Sequence, residues 1–127
     1  MKSYDEARKK AKAEYISIQQ VWCPALGDYV IFSSNGFRHL IRDGKKYRHK
    51  AEQKRRFALI PIAKKILEGS QVFARHAINS KEKNVIFWVF MREGEDKTIK
   101  VIVRQIEGQK KKFLSVFEKN KKSTHAE

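Results

Sequence analysis

The stretch VIFWVFMR at residues 85–92, followed by TIKVIVRQI at residues 98–106, decides the fold of this chain. Both stretches have the length of a strand and are rich in β-branched and aromatic side chains. The first is apolar on both faces, which predicts a central strand of a sheet. The polar residues 93–97, with Gly94 at the turn, separate the two stretches. A connection this short predicts antiparallel neighbours.

The period-two pattern extends outward from this pair of strands. Residues 72–78 and 112–118 are predicted to be two further strands, joined to the pair through short polar connections at 79–84 and 107–111. Because such short links leave no room for a crossover, the four strands are predicted to form an antiparallel meander.

The chain before the sheet shows apolar residues at the three- and four-residue spacing of amphipathic helices. One helix is predicted over residues 3–18 and another over residues 51–67, where Pro61 should kink the helix or split it in two. A short strand at 29–32 and a short helix at 37–41 are predicted between them.

The predicted fold class is therefore α+β, with N-terminal helices packed on one face of a C-terminal four-stranded antiparallel sheet. A chain of 127 residues has the length of one domain. We place that domain at residues 1–118, with the helical part at about 1–68 and the sheet at about 71–118. The polar tail at 119–127 is expected to fray.

Charge is the strongest functional signal in the sequence. Lys and Arg number 29 against 14 Asp and Glu, a formal net charge of +15. Repulsion on this scale opposes compaction, so we infer a polyanionic partner and expect nucleic acid, RNA in preference to DNA. No apolar run has membrane-spanning length, no apolar leader is visible, and Cys23 is the single cysteine. A cytoplasmic protein with no membrane partner is therefore expected.

Motifs for metals and cofactors are absent from the sequence, so neither is expected. It contains no paired-cysteine spacing, no His-Glu-x-x-His and no Gly-rich phosphate loop, which argues against metal-dependent nucleases, NTPases and dehydrogenases. A metal-independent ribonuclease is still allowed. RNA carries its own nucleophile, the 2′-hydroxyl, and its cleavage needs only proton transfer and cations around the phosphate.

Four segments resemble the phage-associated barnase/EndoU/colicin/RelE-like (BECR-fold) nucleases. They are IFSSNGFRHLI at 31–41, QKRRFALIPIA at 53–63, VIVRQI at 101–106 and KFLSV at 112–116. The resemblance implies helices on a four-stranded sheet and metal-independent endoribonuclease activity that leaves a 2′,3′-cyclic phosphate. It also implies a toxin or effector restrained by an acidic immunity or antitoxin protein.

Together with this resemblance, five residues become the candidate catalytic set. His39 titrates near neutral pH and can transfer a proton. Arg56 and Arg104 offer planar forks that match phosphate oxygens. Gln105 could bond backbone or a base edge, and Ser115 could donate to a phosphate oxygen. Because adjacent strand residues face opposite ways, at most one of Arg104 and Gln105 lines a given sheet face. The alternative for each residue is a purely structural role.

Five further residues are candidate substrate contacts. Lys45 and Tyr47 lie in a basic loop at 43–50, where the tyrosine could stack on an unpaired base. Lys54 and Arg55 precede Arg56 in the second long helix, and Lys112 begins the last strand.

Several alternatives stay open at this point. The second functional hypothesis is a non-catalytic basic RNA-binding module or phage accessory protein. The RNA target, with tRNA and ribosome-bound mRNA as candidates, the oligomeric state and the general base are not assigned. Glu52, Glu68 and Glu82 are candidates for that base, and their spacing selects none of them.

Overall fold

The structure is a computed structural model that describes residues 3–69, the backbone of 76–79, and residues 84–120. It has an α+β architecture. In chain order the elements are α1 (Tyr4–Ile18), β1 (Gln20–Cys23), β2 (Asp28–Ile31), α2 (Ser34–Ile41), β3 (Arg42–Asp43), β4 (Lys46–Tyr47), α3 (Lys50–Ala58), α4 (Ile60–Glu68), β5 (His76–Asn79), β6 (Val85–Glu93), β7 (Lys97–Ile106) and β8 (Lys112–Asn120).

The sheet differs from the predicted four-stranded antiparallel sheet, because it has more strands and contains a parallel pair. Its order is β1-β2-β8-β7-β6-β5. Strands β5 to β8 pair antiparallel in succession, but β2 joins β8 in parallel, with Ile31 opposite Lys112. The backbone nitrogen of Ile31 donates to the carbonyl of Lys111, whose ammonium lies 2.9 Å from Asp28. This long-range junction adds the hairpin β1–β2 to the meander.

Strand β1 was not predicted, although the end of α1 at residue 18 was, because no glycine or proline separates this four-residue strand from the helix. The helix begins with a capping box between Ser3 and Glu6. It ends at Gln19, which adopts φ 60 without being a glycine and turns the chain directly into β1. The hairpin then turns through Gly27, also at positive φ.

The second long helix is split, as the position of Pro61 indicated. Helix α3 ends at Ala58, and α4 begins at Ile60 with Pro61 in its first turn. Backbone N–H groups of the first turn have no partner within the helix, so a proline is tolerated there. The short helix α2 starts three residues earlier than predicted, at Ser34.

Three smaller differences concern loops and ends. The basic loop contains the two-residue strands β3 and β4, which pair across Gly44. Strand β8 continues through Asn120, so the first two residues of the predicted tail belong to the sheet, and 121–127 lie outside the described residues. Of the predicted strand at 72–78, the structure describes residues 76–78, which belong to β5.

Aromatic side chains join the helices to the sheet. Phe32 and Phe113 stack with ring centroids 4.7 Å apart, and the buried ring of Tyr15 lies 5.5 to 5.8 Å from both. The hydroxyl of Tyr15 donates to the carbonyl of Ser33 at 2.7 Å, just before α2. These contacts fix the start of α2 against β8.

Gly36 lets α2 approach β8 more closely than any other residue would. A Cβ atom at this position would lie 2.5 Å from the carbonyl oxygen of Phe113 and would also collide with the hydroxyl of Tyr15. Because one of these atoms belongs to the backbone of a central strand, the collision cannot be relieved by a rotamer change.

We therefore predict that Gly36→Ala lowers the free energy of unfolding by about 1–3 kcal/mol, the usual cost of overpacking. The measurement is urea denaturation followed by circular dichroism. Asn35→Ala, at the preceding and half-exposed position of the same helix, is the control and should change stability by less than about 0.5 kcal/mol. Equal stabilities of the two variants would contradict the close approach.

Candidate functional site

Helix α2 presents His39 on the side opposite its buried residues. Phe37, Leu40 and Ile41 face the core, while His39 is half-buried. The carbonyl of His39 accepts a hydrogen bond from Nε of Arg48 at 3.0 Å. The end of α2 is thereby tied to the chain that follows β4.

Arg48 is itself held from the other side by α3. Nε2 of the buried Gln53 donates to the carbonyl of Arg48 at 2.8 Å, and the hydroxyl of Tyr4 donates to Oε1 of the same glutamine. A buried amide satisfied on both ends fixes its neighbours. Arg48 therefore has a defined place between α2 and α3.

Arg56 is positioned by three contacts. Its Nε donates to Oε2 of Glu52 at 2.8 Å, its Nη1 donates to Oγ of Ser115 at 3.0 Å, and its guanidinium carbon lies 5.3 Å from the ring centroid of Phe117. Only 11% of the side chain is exposed. Arg56 thus links α3 to β8 with its orientation fixed, which is the condition for precise phosphate recognition.

Arg104 lies on the sheet face that the core does not use. Its neighbours Val101 and Val103 are fully buried, and Ile102 and Arg104 alternate with them. In the register between β7 and β8, Arg104 is opposite Lys112 and Ile102 is opposite Ser115. Residues directly opposite each other share a face, so Arg104 and Ser115 lie on the same side of the sheet.

Gln105 does not belong to this group. It follows Arg104 in β7 and faces the other way, and its Nε2 donates to the carbonyl of Gln109 at 3.0 Å. That bond closes the turn between β7 and β8. The prediction that Gln105 joins the other candidates is not supported by its position.

Pairwise electrostatic interactions connect His39, Arg48, Arg56 and Arg104, which we call the cationic cluster. His39 interacts with Arg104 and Arg48, and Arg48 interacts with Arg56. Partial burial lowers the pKa of His39, the positive charges of Arg104 and Arg48 lower it further, and Asp43 opposes them. Burial, followed by the charge of Arg56, lowers the pKa of Arg48. The four groups come from three helix and loop segments and one strand.

Glu52 is the carboxylate that supports the cluster. It accepts hydrogen bonds from Arg55 and Arg56. Burial raises the pKa of Glu52, but the bonds from the two arginines outweigh it and leave that pKa below its usual value. Glu52 therefore stays ionised at neutral pH and offsets part of the repulsion among the arginines.

The candidate substrate contacts are divided among three places. Lys112 is half-exposed and lies beside Arg104. Lys45 is exposed in the turn between β3 and β4, and Tyr47 is 68% exposed beneath the guanidinium of Arg42, away from the sheet face. Lys54 and Arg55 lie on the accessible side of α3, where Arg55 forms an ion pair with Glu52.

Sequence reasoning missed Arg48 and left Glu52 unselected. Arg48 lies in a run of basic residues that gives no reason to prefer it to its neighbours. The four-residue spacing of Glu52 and Arg56 on one helix is a signal that could have paired them.

The cluster combines a weakly basic imidazole with fixed guanidinium groups. With a lowered pKa, His39 is neutral near pH 7 and able to accept a proton. Arginines held in place can bind phosphate oxygens and stabilise added negative charge.

Within the described residues, no three His, Cys, Asp or Glu side chains form a group that could hold a metal ion. No helix in the described ranges is long and apolar enough to cross a membrane.

We predict that NMR titration gives His39 a pKa below 6.5, and that Arg104→Ala raises it part of the way back. Lys100→Ala, on the same strand and face, is the control and should leave it unchanged. The unfolded chain binds this proton more readily than the folded chain. The protonation of His39 therefore makes the fold less stable as the pH falls through about 6.5. A His39 pKa above the ordinary value would contradict the proximity of Arg104 and Arg48.

Comparison with known proteins gives no relative from which a function could be taken. No protein-family model matches the chain. A search of curated proteins and a search of solved structures gave no match either.

Proposed function

We propose that this protein is a metal-independent endoribonuclease, related to the BECR-fold nucleases, which cleaves RNA through its 2′-hydroxyl and leaves a 2′,3′-cyclic phosphate. The observation that carries the proposal is the cationic cluster, in which the positive charges of Arg104 and Arg48 act on a half-buried imidazole with a lowered pKa and Arg56 acts on Arg48. Positive groups held close to one another in this way are costly in a free protein and become favourable when an anion binds between them.

In the proposed reaction, one phosphodiester binds among the three arginines. Neutral His39 accepts the proton of the 2′-hydroxyl, whose oxygen attacks phosphorus and forms the cyclic phosphate. The bond from phosphorus to the 5′-oxygen of the next nucleotide breaks, and that oxygen takes a proton from water. The hydroxide that is left takes the proton held by His39, which returns the imidazole to its neutral form. The charge that develops on the phosphoryl oxygens is stabilised by Arg56 and Arg104.

Ser115 and Glu52 have positioning roles in this proposal. The hydroxyl of Ser115 accepts from Arg56, so it aims the guanidinium before substrate arrives. Glu52 holds the same guanidinium from the other side, and its lowered pKa makes it a poor proton acceptor. Lys112, beside Arg104, adds charge along the path of the RNA backbone.

The wider biological setting follows from the resemblance. Such a nuclease would act in the cytoplasm as a toxin or phage-associated effector on RNA, with an acidic immunity or antitoxin protein to restrain it. The described cluster is a suitable surface for such a partner, because side-chain carboxylates would compete with phosphate for the same arginines.

A second candidate is a non-catalytic RNA-binding module. The observation in its favour is that Glu52, the carboxylate that supports the cluster, is engaged by two arginines, which leaves His39 as the one proton carrier assigned among the described residues. Binding alone needs only the cations and would fall steeply with salt.

The test is incubation of labelled single-stranded RNA with the purified protein in excess EDTA. We expect products ending in 2′,3′-cyclic phosphate. His39→Ala should reduce the cleavage rate by about 10²–10⁴-fold, the range for general acid–base groups. Arg104→Ala should reduce it by about 10²-fold or more.

Lys100→Ala is the matched control on β7 and should cleave normally. RNA in which 2′-deoxy nucleotides replace all riboses should bind and remain intact. Salt-sensitive binding without any product would support the binding module instead. Cleavage that requires magnesium would contradict the proposed mechanism.

A further inference from the structure

A cavity is lined by residues of α1, of α2 and of the two short strands that follow α2. Its volume is about 440 Å³, within the roughly 300–1,000 Å³ typical of small-ligand sites. Its charged lining consists of Arg8, Lys12, Arg38 and Arg42, and no carboxylate of the described residues lines it. Arg8 and Lys12 are four residues apart on α1 and contribute to one wall. Arg38 and Arg42 are also four residues apart and contribute to another wall.

The remaining walls are aromatic and apolar. Tyr15, Phe32 and Phe37 form the buried part, while Tyr47 and Ile16 are 68% and 59% exposed at the mouth. Large apolar side chains that are exposed around a concave aromatic surface are unfavourable in water. A planar ring bound between these side chains would shield them from water.

Arg42, which lines this cavity, has a side-chain hydrogen-bond donor without a partner among the described residues. Its guanidinium lies 4.8 Å from the ring centroid of Tyr47, and one Nη donates to the carbonyl of Lys45 at 3.4 Å. Its Nε is buried and has no partner among the described residues. Buried donors are normally paired, so a ligand acceptor would complete this group.

The cavity shares two lining residues with a cleft beside His39. Arg38 and Arg42 also line a cleft of about 290 Å³ that contains His39, Asn35 and Gly44. A chain of alternating bases and phosphates could therefore place a base in the larger cavity and its phosphate on the shared arginines.

We infer that the cavity of Arg8, Lys12, Arg38, Arg42 and Tyr47 is a nucleotide-binding pocket, with the base against the aromatic walls and the phosphate on the cations. Single-stranded nucleic acids are recognised through this combination of stacking and charge. The inference of a pocket depends only on the residues that line it. The further inference that its nucleotide belongs to an RNA strand bound at His39 rests on the proposed ribonuclease function.

The experiment is calorimetric titration with adenosine 5′-monophosphate, adenosine and inorganic phosphate as separate probes. The nucleotide should bind at least about tenfold more tightly than either part alone. Tyr47→Ala and Lys12→Ala should each weaken nucleotide binding by about tenfold, the scale of one stacked base or one phosphate contact.

Lys10→Ala is the matched control, since this exposed lysine lies on α1 but not in the cavity. All variants should keep the circular dichroism spectrum and melting temperature of the parent. A nucleotide that binds no better than phosphate, or Tyr47→Ala and Lys12→Ala variants that bind it normally, would overturn the inference. So would displacement of the nucleotide by a poly-glutamate peptide at equal affinity.

A second arm uses a short 2′-O-methyl oligoadenylate, which cannot be cleaved through a 2′-hydroxyl. If Tyr47→Ala weakens binding of the oligonucleotide as much as of the mononucleotide, the pocket serves the RNA strand. If only the mononucleotide is affected, the pocket serves a free nucleotide. His39→Ala should bind the mononucleotide normally while losing cleavage, so failure of the ribonuclease proposal and failure of the pocket give different results.

Discussion

The approach of α2 to β8 at Gly36 is the contact on which the site depends. Absence of a side chain there lets the helix backbone lie against the carbonyl of Phe113, and the bond from Tyr15 to Ser33 fixes where the helix starts. Since an α-helix advances 100° per residue, His39 three positions later has a determined direction. The electrostatic effect of Arg104 on His39 follows from this packing, because the two side chains come from different layers.

The cationic cluster costs stability in the free protein. Arg48 and His39 both have lowered pKa values because burial and neighbouring positive charge disfavour their protonated forms. Glu52 offsets part of this repulsion through its bonds to Arg56. In a chain with a net charge of +15, such an arrangement is favourable when an anion completes it.

The local pattern of the sequence predicted β6, β7 and β8 to within two residues at each end, and the three- and four-residue spacing of apolar residues predicted the two long helical stretches. It did not predict that Ile31 pairs with Lys112, because a parallel contact between distant residues has no local pattern. The alternation of side chains along a strand predicted that Arg104 and Gln105 face opposite ways. The burial of Val101 and Val103 was needed to decide which of the two faces the cluster. Arg48 could not be selected from the several basic residues of the loop at 43–50.

NMR observation of the arginine Nε–Hε groups tests the central claim most directly, during titration with a 2′-O-methyl RNA that the protein cannot cleave. The account predicts that the signals of Arg48, Arg56 and Arg104 and the ring of His39 shift together with one affinity, because one phosphate binds among them. Saturable RNA binding that leaves these four side chains unchanged would contradict it.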